Sequence, residues 1–157
     1  EKAANWYRKA AEQESSSAQF NLALMYHHGR GVPQSIAEAG KWYRKAAVQG
    51  VAGAQYNLAL MYDSGVGVPQ DFLEAATWYR KAAEQGMISA QFNLGSMYIS
   101  GKGTPQDYIK AHMWLNLAAS KGHNKAANNR DIVARRMSSE QIAEAQALAR
   151  GWAERNR

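Results

Sequence analysis

The chain has 157 residues, of which 46% are hydrophobic and 20% charged, and it carries no Cys and a net charge of +6. This length suits one compact domain or one short repeat array, and the apolar fraction is too high for a disordered chain. The lack of Cys excludes disulfides, Cys-ligated zinc, iron–sulfur centres and a cysteine nucleophile, and no apolar run is long enough to predict a membrane helix.

A period of 36 residues dominates the sequence. Three kinds of residue recur at this interval, which are Trp6, Trp42, Trp78 and Trp114, then Met25, Met61 and Met97, then Pro33, Pro69 and Pro105. Markers of different chemistry that agree over most of a chain indicate a stack of similar units. Each unit predicts two helices joined by a Gly-x-Gly-x-Pro turn, because Gly accepts positive φ and Pro cannot continue a helix. We therefore predict an all-α fold, a right-handed α/α superhelical solenoid.

The chain opens in what reads as the second helix of an incomplete unit, over residues 1–14. Full repeats are predicted at 15–50, 51–86 and 87–122, and capping helices at 123–157. We expect the array to continue towards the N-terminus in the full protein, because Trp6 already occupies the register of the later tryptophans.

The first helix of a full repeat is predicted at about residues 18–28, with equivalents near 54–64 and 90–100. Its core stripe contains Ala18, Leu22, Met25 and Tyr26. The Gly-x-Gly that follows joins two helices, whereas phosphate-binding loops of this kind join a strand to a helix. The glycines therefore indicate a turn and not a phosphate site.

The second helix of each repeat has a clear apolar stripe. In the first full repeat this stripe is Ala39, Trp42, Tyr43, Ala46 and Ala47, spaced as one face of a helix. Ser35-x-x-Glu38 and Asp71-x-x-Glu74 predict capping boxes, in which the Glu side chain reaches back to the cap. Gly50, Gly86 and Gly122 are predicted to close the helices in a left-handed conformation.

The period decays after Gly122. Two further helices are predicted at roughly 123–137 and 139–154, and residues 121–157 hold eight basic and four acidic residues, a net +4 of the total +6. Interspersed signs favour a polar cap that ends the stack. Nucleic-acid or acidic-partner binding through this basic segment remains an alternative.

These motifs resemble the Sel-one-like repeat (SLR) family, a relative of the tetratricopeptide repeat. The resemblance rests on the repeat length, the A-x-x-W-Y-R-K-A-A-x-Q-G helix and the M-Y-x-x-G-x-G-x-P-Q-D turn, and it covers nearly the whole chain. The family implies protein–protein interaction, as adaptors and scaffolds of bacterial signalling, envelope or host-contact complexes. Some disulfide-bearing members are linked to β-lactam binding or hydrolysis. This chain departs from them in lacking Cys and the Ser-x-x-Lys, Ser-Asp-Asn and Lys-Thr-Gly motifs.

By this resemblance the first helices line the concave surface of the solenoid. Phe20 and Leu24 each lie about 160° from the core residue Leu22 at 100° per residue, so they face away from the core. The predicted partner-binding residues are the ones that share this side in the three repeats, namely Phe20, Leu24, His27, His28, Tyr56, Leu60, Asp63, Phe92, Ser96 and Ile99. The unit-to-unit variation at this face suits recognition of a protein or peptide.

Other interpretations of the same residues stay open. The aromatic series Phe20, Tyr56 and Phe92 is equally consistent with packing between first helices. Asn21, Asn57 and Asn93 recur on the flank of these helices, where an amide can grip a partner's backbone or satisfy a neighbouring carbonyl. The Arg–Lys pairs at 8–9, 44–45 and 80–81 favour a solvated outer face.

No catalytic residues, cofactor or metal site are predicted. His27 and His28 are adjacent and point about 100° apart on a helix, which makes a poor metal pair. No Gly-x-Ser-x-Gly, Walker or His-Glu-x-x-His motif occurs. The prediction is a non-enzymatic interaction scaffold, and hydrolysis of a cell-wall or β-lactam substrate is the enzymatic alternative.

Overall fold

The computed structural model describes residues 2–156, which form nine α-helices and no strand. In chain order these are α1 Lys2–Glu12, α2 Ser16–His28, α3 Ile36–Val48, α4 Ala52–Ser64, α5 Phe72–Glu84, α6 Ile88–Ser100, α7 Tyr108–Ser120, α8 Asn124–Ala134 and α9 Ser139–Arg155. The predicted all-α helical repeat solenoid is confirmed. The chain divides between Trp78 and Tyr79 into two compact units.

The N-terminal unit, up to Trp78, contains α1 to α4 and the start of α5. Ala11, Ala18 and Leu22 form a buried cluster at its first helices, and Trp42 of α3 packs against this cluster. Trp42 thus packs against a cluster that joins α1 to α2, while the small alanines let the helices approach closely. This packing explains why both residue types recur at fixed positions.

The C-terminal unit, from Tyr79, contains the rest of α5 and α6 to α9. Its cluster is Leu115, Ala118, Ala126 and Val133, so α7 and α8 share one core. The last helix, α9, packs against α7, where the ring of Trp152 meets the edge of Trp114 at a centroid distance of 6.0 Å. These contacts show that the final two helices are part of the unit's core.

Buried glutamines connect the repeats. The Nε2 of Gln19, Gln55 and Gln91 donates to the backbone oxygen of Ala11, Ala47 and Ala83 respectively, each in the second helix of the preceding repeat. All three glutamines are buried. Each of these carbonyls also accepts from a backbone N–H in its own turn, so the glutamine of the next repeat adds a second hydrogen bond to it.

The turns satisfy the other helix ends. Gln34, Gln70 and Gln106 of the Pro-Gln motif each donate to a carbonyl near the C-terminus of the preceding first helix. Gly67 has φ +79, and an added Cβ there would lie 2.6 Å from Ile36 Cγ2, so both conformation and space require glycine. The left-handed closures predicted at Gly50, Gly86 and Gly122 are confirmed.

The capping boxes are only partly as predicted. The Ser35 hydroxyl accepts from the Glu38 backbone N–H, but the Glu38 carboxylate pairs with Lys41. The Glu74 carboxylate likewise accepts from the Trp78 indole N–H. A side chain one turn further along the helix competes for each Glu. A complete capping box is present at Ser138 and Gln141, at the start of α9.

Candidate functional site

An asparagine whose side chain makes no hydrogen bond to the described residues stands at the same position of every first helix. Asn21, Asn57, Asn93 and Asn129 are each half-buried and 36 residues apart, in α2, α4, α6 and α8. No side-chain hydrogen bond involves any of the four within the described residues. An amide carries two donor hydrogens and one acceptor oxygen, so each of these groups is available to a ligand.

Aliphatic side chains accompany these amides one turn along the helix. Leu24, Leu60 and Ile132 follow Asn21, Asn57 and Asn129 by three residues, and Ser96 takes the equivalent place in α6. Leu60 is 37% exposed and Ile132 is 52% exposed. We call this combination of the asparagine and the residue three positions later the first-helix face.

The first-helix face of α2 lines a pocket of about 230 Å³ in the N-terminal unit. The predicted residues Leu24 and His28 meet there, together with Tyr7, Asn21, Met25 and Arg30. Apolar side chains form much of the wall, and an imidazole, an amide and a guanidinium supply polar groups. This composition suits a peptide side chain flanked by polar backbone.

Two of the predicted aromatic residues contact the repeat that follows their own. The ring of Phe20 lies against Gly53 of α4, where an added Cβ would be 2.8 Å from Phe20 Cζ, and it also approaches Tyr43 at 6.0 Å. Phe92 stacks on His123 with centroids 4.5 Å apart. Both phenyl rings are half-buried. The packing interpretation therefore accounts for their recurrence in these two repeats.

Of the remaining predicted residues, His27 and Asp63 lie at the C-terminal ends of first helices, whereas Tyr56 and Ser96 lie inside them. The half-buried His27 ring is 4.9 Å from that of His28 and 6.1 Å from that of Tyr43, and its Nδ1 is buried without a hydrogen-bond partner. Burial raises the pKa of Tyr43 to about 12, so its phenol stays neutral beside the imidazole. Tyr56 and Asp63 are half-buried, and Ser96 Oγ donates to the Phe92 carbonyl.

Ile99 belongs to a second pocket, of about 200 Å³, in the C-terminal unit. Its other lining residues are Tyr108, Asn129, Ile132, Val133 and Arg136, none of which was predicted as a site residue. The register gave a signal, because Asn129 lies 36 residues after Asn93. The loss of the Leu and Met-Tyr markers in α8 hid this equivalence.

Basic side chains on the outer face of the second helices make contacts within the protein. Arg8, Arg44 and Arg80 donate to the hydroxyl oxygens of Tyr26, Tyr62 and Tyr98 in the following first helices. Lys45 lies over the Trp42 ring, with Nζ 4.6 Å from the centroid. The arginines therefore tie helix pairs together.

Titratable residues do not converge in the part of the chain that the structure describes. Residues 2–156 contain no group of three or more His, Asp or Glu arranged to hold a metal ion, and none of their helices is long and apolar enough to cross a membrane. His112 is buried, and burial first and then the charge of Arg130 lower its pKa, against a smaller opposing effect of Asp131. It lies in the core of the C-terminal unit.

Comparison with known proteins identifies the repeats. The family model described as Sel1 repeat matches residues 1–15, 16–51, 52–87 and 88–123. The chain is similar to the crystal structure of a Sel1 repeat protein from Oxalobacter formigenes, with 37% identity and a TM-score of 0.74, over 80% of this chain and 94% of that one. No curated protein matches it.

Two further solved structures are similar. One is c5321, a protective antigen present in uropathogenic Escherichia coli strains and displaying an SLR fold, with 32% identity and a TM-score of 0.72 over 96% of this chain and 40% of that one. The other, cysteine rich protein B of Helicobacter pylori, shares the fold at 23% identity, with a TM-score of 0.61 over 81% of this chain and 91% of that one.

Sel1 repeats are generally protein-interaction modules, and proteins built from them are typically non-enzymatic scaffolds. The predicted family resemblance is confirmed, since the model matches most of the 157 residues. The chain belongs to the Sel1 repeat family.

Proposed function

We propose that this chain is a scaffold that binds an extended segment of a partner protein on its first-helix face. One observation carries the proposal, which is that Asn21, Asn57 and Asn93 recur half-buried with no side-chain hydrogen bond within the described residues. None of these amide atoms is fully buried, so each reaches water in the free protein and can exchange that water for a peptide group of a partner. The peptide groups of an extended segment offer alternating donors and acceptors at such a face.

The aliphatic residues supply the apolar part of the same contact. Leu24 lines a pocket, and Leu60 is exposed beside Asn57. Interfaces gain most of their affinity from a few such anchors surrounded by polar contacts. Variation at the end of the first helices, with His28 in α2 and Ser64 in α4, gives each repeat of the N-terminal unit a different neighbour for the bound segment.

Site-specific photo-crosslinking tests this face with a matched control. A photoreactive phenylalanine analogue replaces Leu60 on the first helix α4, and in a second protein it replaces Leu73, which is 68% exposed on the second helix α5. We expect partner protein to crosslink at position 60 and not at position 73. Asn57→Ala in the position-60 protein is expected to lower the crosslinked yield about fivefold, a loss consistent with one hydrogen bond.

The melting temperature of each variant shows that it is folded. Equal crosslinking at positions 60 and 73, or crosslinking at 73 alone, contradicts the proposal. The pair Phe20 and Phe92 is unsuitable for this test, because both rings also pack against the next repeat.

A further inference from the structure

The helix α8 retains the surface of a first helix although the family model ends before it. The model stops at residue 123, and α8 runs from Asn124 to Ala134. Asn129, Ile132 and Val133 stand 108 residues after Asn21, Leu24 and Met25, which is three repeat lengths. Both triplets line a pocket at their own end of the described chain. The C-terminal pair of helices therefore has the surface positions of a repeat as well as a core.

The pocket at α8, which we call the C-terminal pocket, has an apolar interior. Val133 is fully buried at its floor, and Ile99 of α6 and Tyr108 of α7 are half-buried lining residues. Ile132 leaves 52% of its surface exposed at the opening. The volume of about 200 Å³ is smaller than the roughly 300–1,000 Å³ of sites for whole small molecules. It suits one aliphatic side chain.

The polar groups at the opening have unused donors. Arg136 Nη1 donates to the Tyr108 hydroxyl oxygen over 3.3 Å, which holds the guanidinium at the pocket. A guanidinium has five N–H donors, so most remain for a ligand. Asp131, the acidic residue of α8, is engaged by Arg130, and Arg136 has no ion pair within residues 2–156. The Asn129 amide is also unbonded there.

We infer that the C-terminal pocket binds an aliphatic side chain of a partner protein, within a continuous segment in which an acidic side chain follows the aliphatic residue. The aliphatic group occupies the space between Ile99 and Ile132, the carboxylate pairs with Arg136, and Asn129 bonds the backbone between them. This inference rests on the proposed function, because the pocket is part of the first-helix face.

Charge complementarity favours an acidic segment over a neutral one. Residues 121–157 carry a net charge of +4, and Arg136, which lines the pocket, is exposed. A carboxylate that accepts from an arginine gains a charge-assisted hydrogen bond, which is stronger than a neutral one. The net positive charge also speeds the approach of an acidic ligand.

Methyl NMR of isoleucine detects even weak binding at this pocket. The chain has Ile99 and Ile132 in the pocket, and Ile36 and Ile142 outside it serve as internal controls. Three peptides are titrated, namely acetyl-Ala-Leu-Asp-Ala-amide, the same peptide with Asn for Asp, and acetyl-Ala-Leu with a free carboxylate. We expect the Asp peptide to shift the Ile99 and Ile132 methyl signals to saturation. The affinity of the Asn peptide should be lower by a factor of at least about five.

Matched charge variants complete the test. Arg136→Gln is expected to lower the affinity for the Asp peptide to that of the Asn peptide, whereas Arg150→Gln, on the exposed part of α9, leaves it unchanged. The inference is overturned by equal binding of the Asp and Asn peptides, by tighter binding of the free carboxylate, or by pocket methyl signals that do not move. Crosslinking at position 60 does not involve this pocket, so success there with failure here overturns only the present inference.

Discussion

The two compact units use one repeat register but fill it with different side chains. In the N-terminal unit Gly40 faces Met61, and a Cβ added to Gly40 would lie 2.8 Å from the Met61 methyl carbon. The equivalent residues in the C-terminal unit are His112 and Val133, both buried. His112 is larger than the equivalent Gly40, whereas Val133 is smaller than the equivalent Met61. The repeat register therefore preserves backbone positions, while a larger side chain at one position of a helix pair accompanies a smaller one at the other.

The polar connection between helix pairs differs as well. Arg44 of α3 donates to Tyr62 of α4, and Arg80 makes the same contact with Tyr98. In the last pair the direction is reversed, because Arg130 of α8 donates to Asn116 of α7 over 3.1 Å. The fourth first helix thus keeps a side-chain link to its neighbour with different residues.

The largest difference in stability between the two units is expected for substitutions of tryptophan. Trp152→Ala should lower the free energy of unfolding by about 2 kcal/mol, because its half-buried ring packs on Trp114 and near Gly86 in the C-terminal unit. Trp6→Ala, whose side chain is 66% exposed, should change it by less than about 0.5 kcal/mol. Urea unfolding followed by circular dichroism measures both. Equal losses would show that α9 is not part of the core.

Glycine substitutions in the two units should have opposite outcomes. Gly95→Ala in α6 places a Cβ 2.8 Å from Leu115 Cγ, a branched atom that cannot move alone, and should cost about 1–2 kcal/mol even after the gain in helix propensity. Gly40→Ala meets only the flexible end of Met61 and should be neutral or slightly stabilising. Chemical denaturation compares the two, and a stabilising Gly95→Ala would contradict the tight fit.

Acid should weaken the C-terminal unit through His112. Burial lowers the pKa of His112 below its usual 6.5, so in mildly acidic solution the unfolded chain binds more protons than the folded one. The free energy of unfolding therefore falls as the pH drops below about 6.5. His112→Ala, which copies Ala76 of the N-terminal unit, should remove this dependence. Unfolding of both proteins at pH 8 and pH 5.5 gives the difference, and parallel pH curves would exclude the buried imidazole as the cause.

The smallest effect is expected at the tyrosine hydroxyls. Tyr98→Phe removes the oxygen that accepts from Arg80 and should cost about 0.5–1 kcal/mol. Tyr7→Phe, for which no hydroxyl hydrogen bond exists within the described residues, should leave stability unchanged. Thermal melts resolve the pair. A larger loss for Tyr7→Phe would mean that the Arg–Tyr bonds do not connect the helices.

Period and turn residues were enough to predict the helices. The predicted first helix near residues 18–28 is Ser16–His28 in the structure, because Ser15 caps its start and Gly29 ends it. The hydrogen-bond partners of the Glu38 and Glu74 carboxylates were predicted wrongly, since sequence spacing does not show which neighbouring donor each carboxylate binds. Local chemistry therefore determines where helices begin and end, and tertiary contacts determine how side chains are shared.

The candidate site was less predictable. Helical angles placed Leu24 and Leu60 away from the core, but the same angles do not reveal that Phe20 and Phe92 meet the next repeat. The C-terminal pocket needs residues from three helices, and its register marker Asn129 stands alone without the usual Leu and Met-Tyr. Such a site becomes visible only when the helices are assembled.

The buried glutamines give each full repeat the same hydrogen-bonded connection to the repeat before it. Gln55 bonds the Ala47 carbonyl behind it, and Gln91 does the same for Ala83, so a duplicated or deleted unit of 36 residues would leave identical joints. The next position in this series is Ala127, which has no side-chain amide, so the Ala119 carbonyl keeps the bond from the turn glycine that Ala47 and Ala83 also have, but no glutamine follows to add a second. Length changes in such an array are therefore easiest before α7, where unequal recombination can add or remove a repeat and keep the glutamine contact at the new joint.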